Sequence, residues 1–229
     1  MKIDLHIHTT GFSSCGKLSI EEIVTLYSHA GYDCIVITNH FSRSSRRWFL
    51  ENVGTNYCQS YFDTIKKGAE LGEKLGLAVL GGFELRFDCN SNDYLAYGMT
   101  GEMCCDCEKI FAMTPEEYSS FAKENGILFY QAHPFRNKIT VVNPGILFGM
   151  EVLNTHPRHD SRNDIALLWA EKYNLHKIAG SDCHQIQDAG TSFISTDLPV
   201  KNMGDLLHIL KNDLYTIGET PKKSGSSMP

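Results

Sequence analysis

Short apolar runs alternate with longer amphipathic stretches along most of this chain. Residues 2–8, 33–37, 77–83, 94–97, 127–132, 149–153 and 176–180 are brief and rich in β-branched and aromatic side chains, which predicts strands. Residues 19–31, 60–76, 115–125, 162–174 and 203–212 space their apolar positions three and four apart, which predicts helices buried along one face. Ser19 with Glu22 has the spacing of a capping box, and Thr114-Pro115-Glu116-Glu117 repeats it with proline at the first helical position. Gly76 and Gly126 stand where two of these helices should stop.

The rhythm of strand and helix predicts an α/β fold with a mainly parallel sheet, wound open or closed into a barrel. Segments 41–59 and 134–148 are expected as long loops beyond strand ends, where active-site loops belong. Residues 86–113 break the rhythm. A chain of 229 residues with 42% hydrophobic content suits one domain, expected over 1–218. Residues 219–229, Glu-Thr-Pro-Lys-Lys-Ser-Gly-Ser-Ser-Met-Pro, have the composition of a disordered tail.

Polar side chains concentrate at the ends of the predicted strands. His6 and His8 are two apart on one strand and share a face, with Asp4 one step deeper, where it is expected to orient a ligand histidine. His40, Glu84 and His133 each close an apolar run, and Asp182 and His184 repeat the spacing of two. A single histidine after a strand is ordinarily a core or surface residue. Several with the same placement point elsewhere, because α/β folds build their sites at the carboxyl ends of strands. Imidazoles and carboxylates gathered there form a site for divalent metal ions.

The net charge of −6 argues against general attraction to a nucleic-acid backbone, and no extended basic groove is evident. Eight cysteines behind a polar Met1-Lys2-Ile3-Asp4 start predict a cytoplasmic protein with reduced thiols, and no stretch is apolar enough to span a membrane. Cys104-Cys105-Asp106-Cys107 contains a CxxC spacing without a second pair nearby, and reads as a loop of reduced cysteines.

Taken together, Asp4-Leu5-His6-Ile7-His8-Thr9, Thr38-Asn39-His40, Gly82-Phe83-Glu84, His133-Pro134 and Gly180-Ser181-Asp182-Cys183-His184 resemble successive motifs of the PHP (polymerase and histidinol phosphatase) family. The resemblance runs from residue 2 to about residue 190. It implies a distorted (β/α)7 TIM-like barrel carrying two to three divalent ions (zinc, manganese or iron) at its C-terminal rim. It further implies that His6, His8, Glu84 and Asp182 hold one ion, that Glu84 bridges to a second held by His133, and that His40 and His184 hold a third. Two positions depart from the pattern. Cys15 stands in Ser14-Cys15-Gly16 where relatives often carry Asp or His, and is a candidate thiolate ligand. Asp93 stands where relatives supply a histidine, and is a candidate carboxylate ligand.

The expected activity is therefore metal-dependent hydrolysis of a phosphate ester of a small molecule, histidinol phosphate being one candidate, or of a nucleotide. A hydroxide held between the ions would attack phosphorus, with Asp182 taking a proton and His156 protonating the leaving group. Asn154 and His156 are expected to contact the substrate. Arg43 and Arg136 follow predicted ligands closely in sequence and are expected to grip phosphate oxygens. Two other readings share the opening HxH or the fold. One is an amidohydrolase-like C–N hydrolase, although that class commonly bridges its metals with a carboxylated lysine where this chain has Glu84. The other is a non-catalytic, metal-stabilised module.

Overall fold

The computed structural model describes residues 1–220, so the expected tail lies outside them from residue 221 onward. β1 (Lys2–Ile7) leads through α1 (Ile20–His29) to β2 (Cys34–Ile37) and the two-residue β3 (His40–Phe41). α2 (Arg43–Asn52) and α3 (Tyr57–Leu75) precede β4 (Ala78–Leu85) and β5 (Tyr94–Tyr97). The short α4 (Gly101–Cys105) and α5 (Cys107–Ala112), then α6 (Pro115–Glu124), lead to β6 (Leu128–Gln131) and β7 (Gly149–Asn154). α7 (Asn163–Lys172), β8 (His176–Gly180), β9 (Ser192–Ser195), α8 (Met203–Lys211) and β10 (Thr216–Glu219) follow.

Seven strands run side by side in the order β1-β2-β4-β5-β6-β7-β8. Beyond β8 the chain returns to β1: the His8 amide donates to the Cys183 carbonyl at 2.9 Å, and the Cys183 amide donates to that of His6 at 3.2 Å. The sheet is thus a nearly closed barrel, a distorted version of the TIM type. β9 and β10 attach antiparallel outside β1.

The wall is not parallel throughout, as the alternation of elements led one to expect. β5 runs antiparallel to both β4 and β6. The connection from β4 carries no helix, and only a crossover can bring a strand back parallel. Consequently β5 begins at the mouth where its neighbours end.

The capping boxes at Ser19/Glu22 and Thr114/Glu117 are both formed, and Gly76 takes the left-handed C-cap position at φ 72°. The expected loop over 41–59 contains α2 instead. Its sequence, Arg43-Ser44-Ser45-Arg46-Arg47-Trp48-Phe49-Leu50-Glu51-Asn52, is too polar for an apolar stripe. A reciprocal Ser42/Ser45 cap starts it, and Phe49 anchors it in the core. Tyr61 stacks on Phe83 at 4.6 Å and Phe41 meets Phe83 edge-on at 5.0 Å, fixing α3 against β3 and β4. No helix among the described residues is long and apolar enough to cross a membrane.

Candidate metal centre

β1 delivers His6 and His8 to one side of the wall, with their Nε2 atoms 3.1 Å apart. Asp182 Oδ1 lies 3.5 Å from the first and 3.3 Å from the second. Glu84, at the end of β4, places Oε1 3.4 Å from His6 Nε2 and 3.0 Å from His133 Nε2, while Oε2 lies 2.5 Å from His40 Nδ1. The centre is buried: His6 and His8 are 0% exposed, His133 is 1%, and Glu84 and Asp182 are 2%.

Two of these residues sit in strained backbone, His133 at φ 29° and Asp182 at φ 53°. Hydrogen bonds hold both. The His133 amide donates to Glu151 Oε2 at 2.8 Å, and the Asp182 carbonyl accepts from His156 Nδ1 at 2.9 Å and His184 Nδ1 at 2.8 Å.

Glu151, which the sequence reading overlooked, is the main organiser behind the centre. Fully buried on β7, it accepts a 2.9 Å hydrogen bond from His6 Nδ1 and another from Asn154 Nδ2 at 3.0 Å. A charged residue within an apolar run was the signal for it. Asp4 does not take that part. Its carboxylate accepts from the Ser181 amide (3.0 Å), the His6 amide (3.1 Å) and the Tyr27 hydroxyl (2.7 Å), locking β1 to β8. That seam is tight, since a Cβ on Gly180 would fall 2.3 Å from His6 Cβ.

Charges in the cluster reinforce one another. Burial opposes ionisation of Glu84, yet His40 and His6 hold it well below the usual carboxylate range. Asp182 is depressed likewise, by His6 and His8 against burial. Burial, then His184 and His40, push His8 far down, so its ring is neutral and able to donate a lone pair. On His6 the neighbouring Asp182, Glu151 and Glu84 outweigh burial and raise it.

A second group forms around Cys15. Its Sγ lies 3.2 Å from His40 Nε2 and 2.8 Å from Ser13 Oγ. His8 stacks on His184 at 4.1 Å and lies 4.5 Å from His40. Burial disfavours the Cys15 thiolate, but hydrogen bonds from His184 and His40 bring it down to about 5.

Other candidates are placed differently from one another. Asp93 lies beside His40 and Glu84, but its carboxylate is gripped by Arg86 through two 2.7 Å hydrogen bonds and by Arg136 at 3.2 Å. Asn154, expected at the substrate, is turned into the wall, donating to Glu151 and at 3.3 Å to Asp182 Oδ2. Arg43 also departs from expectation: it pairs with Asp88 at 2.9 Å and with Glu108, away from the cleft. A cleft of about 610 Å³ opens over the centre, lined by Cys15, His40, Glu84, Arg86, Arg136, His156, Arg158, His159, Asp182 and His184 among others. Arg86 and His159 were not anticipated.

The donor set suits divalent cations. His8 and His133 turn Nε2 toward the Asp182 and Glu84 carboxylates at 3.3 and 3.0 Å in a fully buried cluster, a mixed imidazole and carboxylate donor set of the kind such ions take. The triads His6/His8/Asp182, His6/Glu84/His133 and His8/His40/His184 each bring one ligand atom per residue within 4.8 Å of the others. They share His6 and His8, so the donor groups form one continuous cluster.

Residues 160–213 match the family described as PHP-associated, a stretch that includes Asp182 and His184. No curated protein matches the chain. Among solved structures, the chain is similar to a two-domain protein of Bacteroides vulgatus named for a predicted PHP-like metal-dependent phosphoesterase. The TM-score is 0.68 at 21% identity, covering 96% of this chain and 64% of the other. At 21% identity the likeness is one of fold. A similar fold appears in PsfC of Pseudomonas syringae, with TM-score 0.61, 15% identity and coverage of 90% and 87%. It appears again in the lesion-specific endonuclease PfuEndoQ of Pyrococcus furiosus, with TM-score 0.60, 14% identity and coverage of 92% and 56%. The chain thus spans less than two thirds of the Bacteroides protein and of the endonuclease.

Proposed function

We propose that this protein is a metal-dependent phosphoesterase acting on a phosphate ester of a small molecule or nucleotide. The observation that carries the reading is the convergence of His6, His8, Glu84, His133 and Asp182 in one buried cluster beneath an arginine-lined cleft. Two to three divalent ions, zinc, manganese or iron, would be held by these residues with His40, His184 and Cys15. When bound, they supply Lewis acidity toward phosphate oxygens and a water acidified enough to attack at neutral pH.

The remaining work belongs to the side chains. Asp182, fixed by Asn154, presents Oδ1 toward His6 and His8 and is ionised, so it can accept a proton from the attacking water. Because His156 Nδ1 donates to the Asp182 carbonyl, its Nε2 bears the lone pair and takes up a proton released at the attacking water before handing it to the leaving alkoxide; burial lowers the ring's pKa, which makes the imidazolium so formed a stronger acid. Arg136, lining the cleft, offers its guanidinium to nonbridging phosphate oxygens. Reduced thiols and a cytoplasmic setting accompany this reading.

The test is metal analysis of protein purified without chelator, followed by a panel of phosphomonoesters, phosphodiesters and amides with manganese, zinc and iron. Phosphate-ester turnover that disappears in Asp182→Asn is the expected outcome. Turnover of amides alone would overturn the proposal, and bound metal without any turnover would assign a non-catalytic module.

A further inference from the structure

A second cleft, of about 480 Å³, adjoins the one over the metal centre. Arg86, Arg136, Arg158 and His159 line both, so the two are continuous. None of the proposed ion ligands lines the outer cleft, whereas Lys138 lines the outer cleft only. His159 stacks on His156 at 4.7 Å, so the outer cleft begins beside the side chain assigned to the leaving alkoxide. Its volume suits an organic group rather than a lone ion.

The chain carries a net charge of −6, yet this cleft gathers cations. Arg86 and Arg136 share one carboxylate: Asp93 accepts two 2.7 Å hydrogen bonds from the first and one of 3.2 Å from the second. One guanidinium charge is left unmatched. Asp93 is buried, so its grip holds both arginines in place, and Nη1 of each stays without a partner among the described residues. Lys138 makes no ion pair among the described residues. Arg158 is matched by Asp188 at 2.6 Å, and Asp160, the acid at the cleft edge, is exposed and lies 4.0 Å from Arg162. A solvated surface arginine must be ordered before it can grip an anion; Arg86 is ordered already.

We propose that the alcohol portion of the substrate carries a second anionic group, phosphate or carboxylate, seated in the outer cleft on Lys138 and the free edge of Arg86. The inference rests on the phosphoesterase reading and narrows it. With the ester phosphate over the ions and Arg136 beside it, the leaving alcohol passes His156 and His159 and ends in negative charge. A cationic alcohol such as histidinol meets repulsion at that end, and a neutral one leaves Lys138 and Arg86 unused.

The test is a series of propyl to hexyl phosphates that differ at the far end: methyl, carboxylate, phosphate or ammonium. With protein purified without chelator, kcat/KM should rise about tenfold or more, through KM, when an anion replaces the methyl group, and fall with ammonium. A larger gain for phosphate assigns a bisphosphate, and a larger gain for carboxylate assigns a phosphorylated acid. Lys138→Glu should reverse the order and favour ammonium, which a residue serving only the fold would not do. Equal kcat/KM across the whole series overturns the inference and leaves the phosphoesterase reading standing. Should no ester be turned over, calorimetry with pentamethylene diphosphonate against pentylphosphonate decides the same point: about tenfold tighter binding of the diphosphonate supports the anion seat, and equal affinity overturns it.

Discussion

The Glu151 carboxylate takes the proton-bearing Nδ1 of His6 at 2.9 Å with both groups fully buried, and so fixes which imidazole nitrogen faces the centre. An outer carboxylate of this kind sets the ring's orientation and raises its basicity as a ligand. Glu151→Gln keeps the shape but weakens the pairing. Metal affinity should fall roughly ten- to hundredfold, measured by competition with a chromophoric chelator. Unchanged affinity would show that Glu151 serves the fold alone.

Gly180 is where β8 comes against β1 beside His6. An added methyl would meet His6 Cβ at 2.3 Å and Glu151 Oε1 at 3.0 Å, and no flexible side chain can yield. Gly180→Ala should destabilise the protein by about 3 kcal/mol through overpacking, read from urea unfolding. It should also release metal more readily than a distant substitution of equal cost.

Cys15 Sγ lies 3.2 Å from His40 Nε2, where it offers the proposed centre a soft donor. Loading the protein with cobalt(II) should produce a near-ultraviolet thiolate-to-cobalt charge-transfer band, absent in Cys15→Ser. An identical spectrum in the variant would place the thiol outside the coordination sphere.

Asp4 is buried behind the centre, and burial pushes its carboxyl up to about 6 against the hydrogen bonds from Ser181 and Tyr27. The folded protein therefore holds this proton more tightly than the unfolded chain, whose value is 3.8. Stability from this group is full below about pH 4 and is lost as pH rises through about 6. Asp4→Asn accepts the same amides without a charge. Unfolding of the metal-free proteins should show the variant gaining on wild type between those pH values, by up to about 3 kcal/mol. A difference that does not vary with pH would contradict it.

The arginines divide by position. Arg136 lines the cleft with one nitrogen on Asp93 at 3.2 Å, whereas Arg43 is engaged by Asp88 and Glu108 outside it. Arg136→Ala should raise KM for a phosphate ester about tenfold or more, and Arg43→Ala should leave it within a factor of two. Equal effects would mean that proximity in sequence, not in space, was the better guide.

What the amino-acid pattern revealed follows from where its signals are local. The strand ends carrying His6, His8, Glu84, His133 and Asp182 announce themselves because a polar side chain closing an apolar run is conspicuous, and the fold brings them together. α2 was missed because its cap is made of serines and its face holds one deeply buried aromatic, Phe49. Arg43 was misplaced because its partners Asp88 and Glu108 lie 45 and 65 residues away, in the stretch with the least regular pattern. Glu151 is marked only as a charge inside an apolar run, and what that charge serves is hidden for a related reason: its partner His6 lies 145 residues earlier in the chain.

The reversal of β5 has a consequence for how such a mouth can be remodelled. From Arg86 to Asp93 the chain leaves the end of β4 and re-enters the wall at β5, contributing to the opening at both ends without any helix between. Arg86 and Asp93 clasp each other across that excursion. A replacement loop grafted between them would change what the entrance admits while leaving every helix-bearing crossover, and the ligands that those crossovers space, as they are.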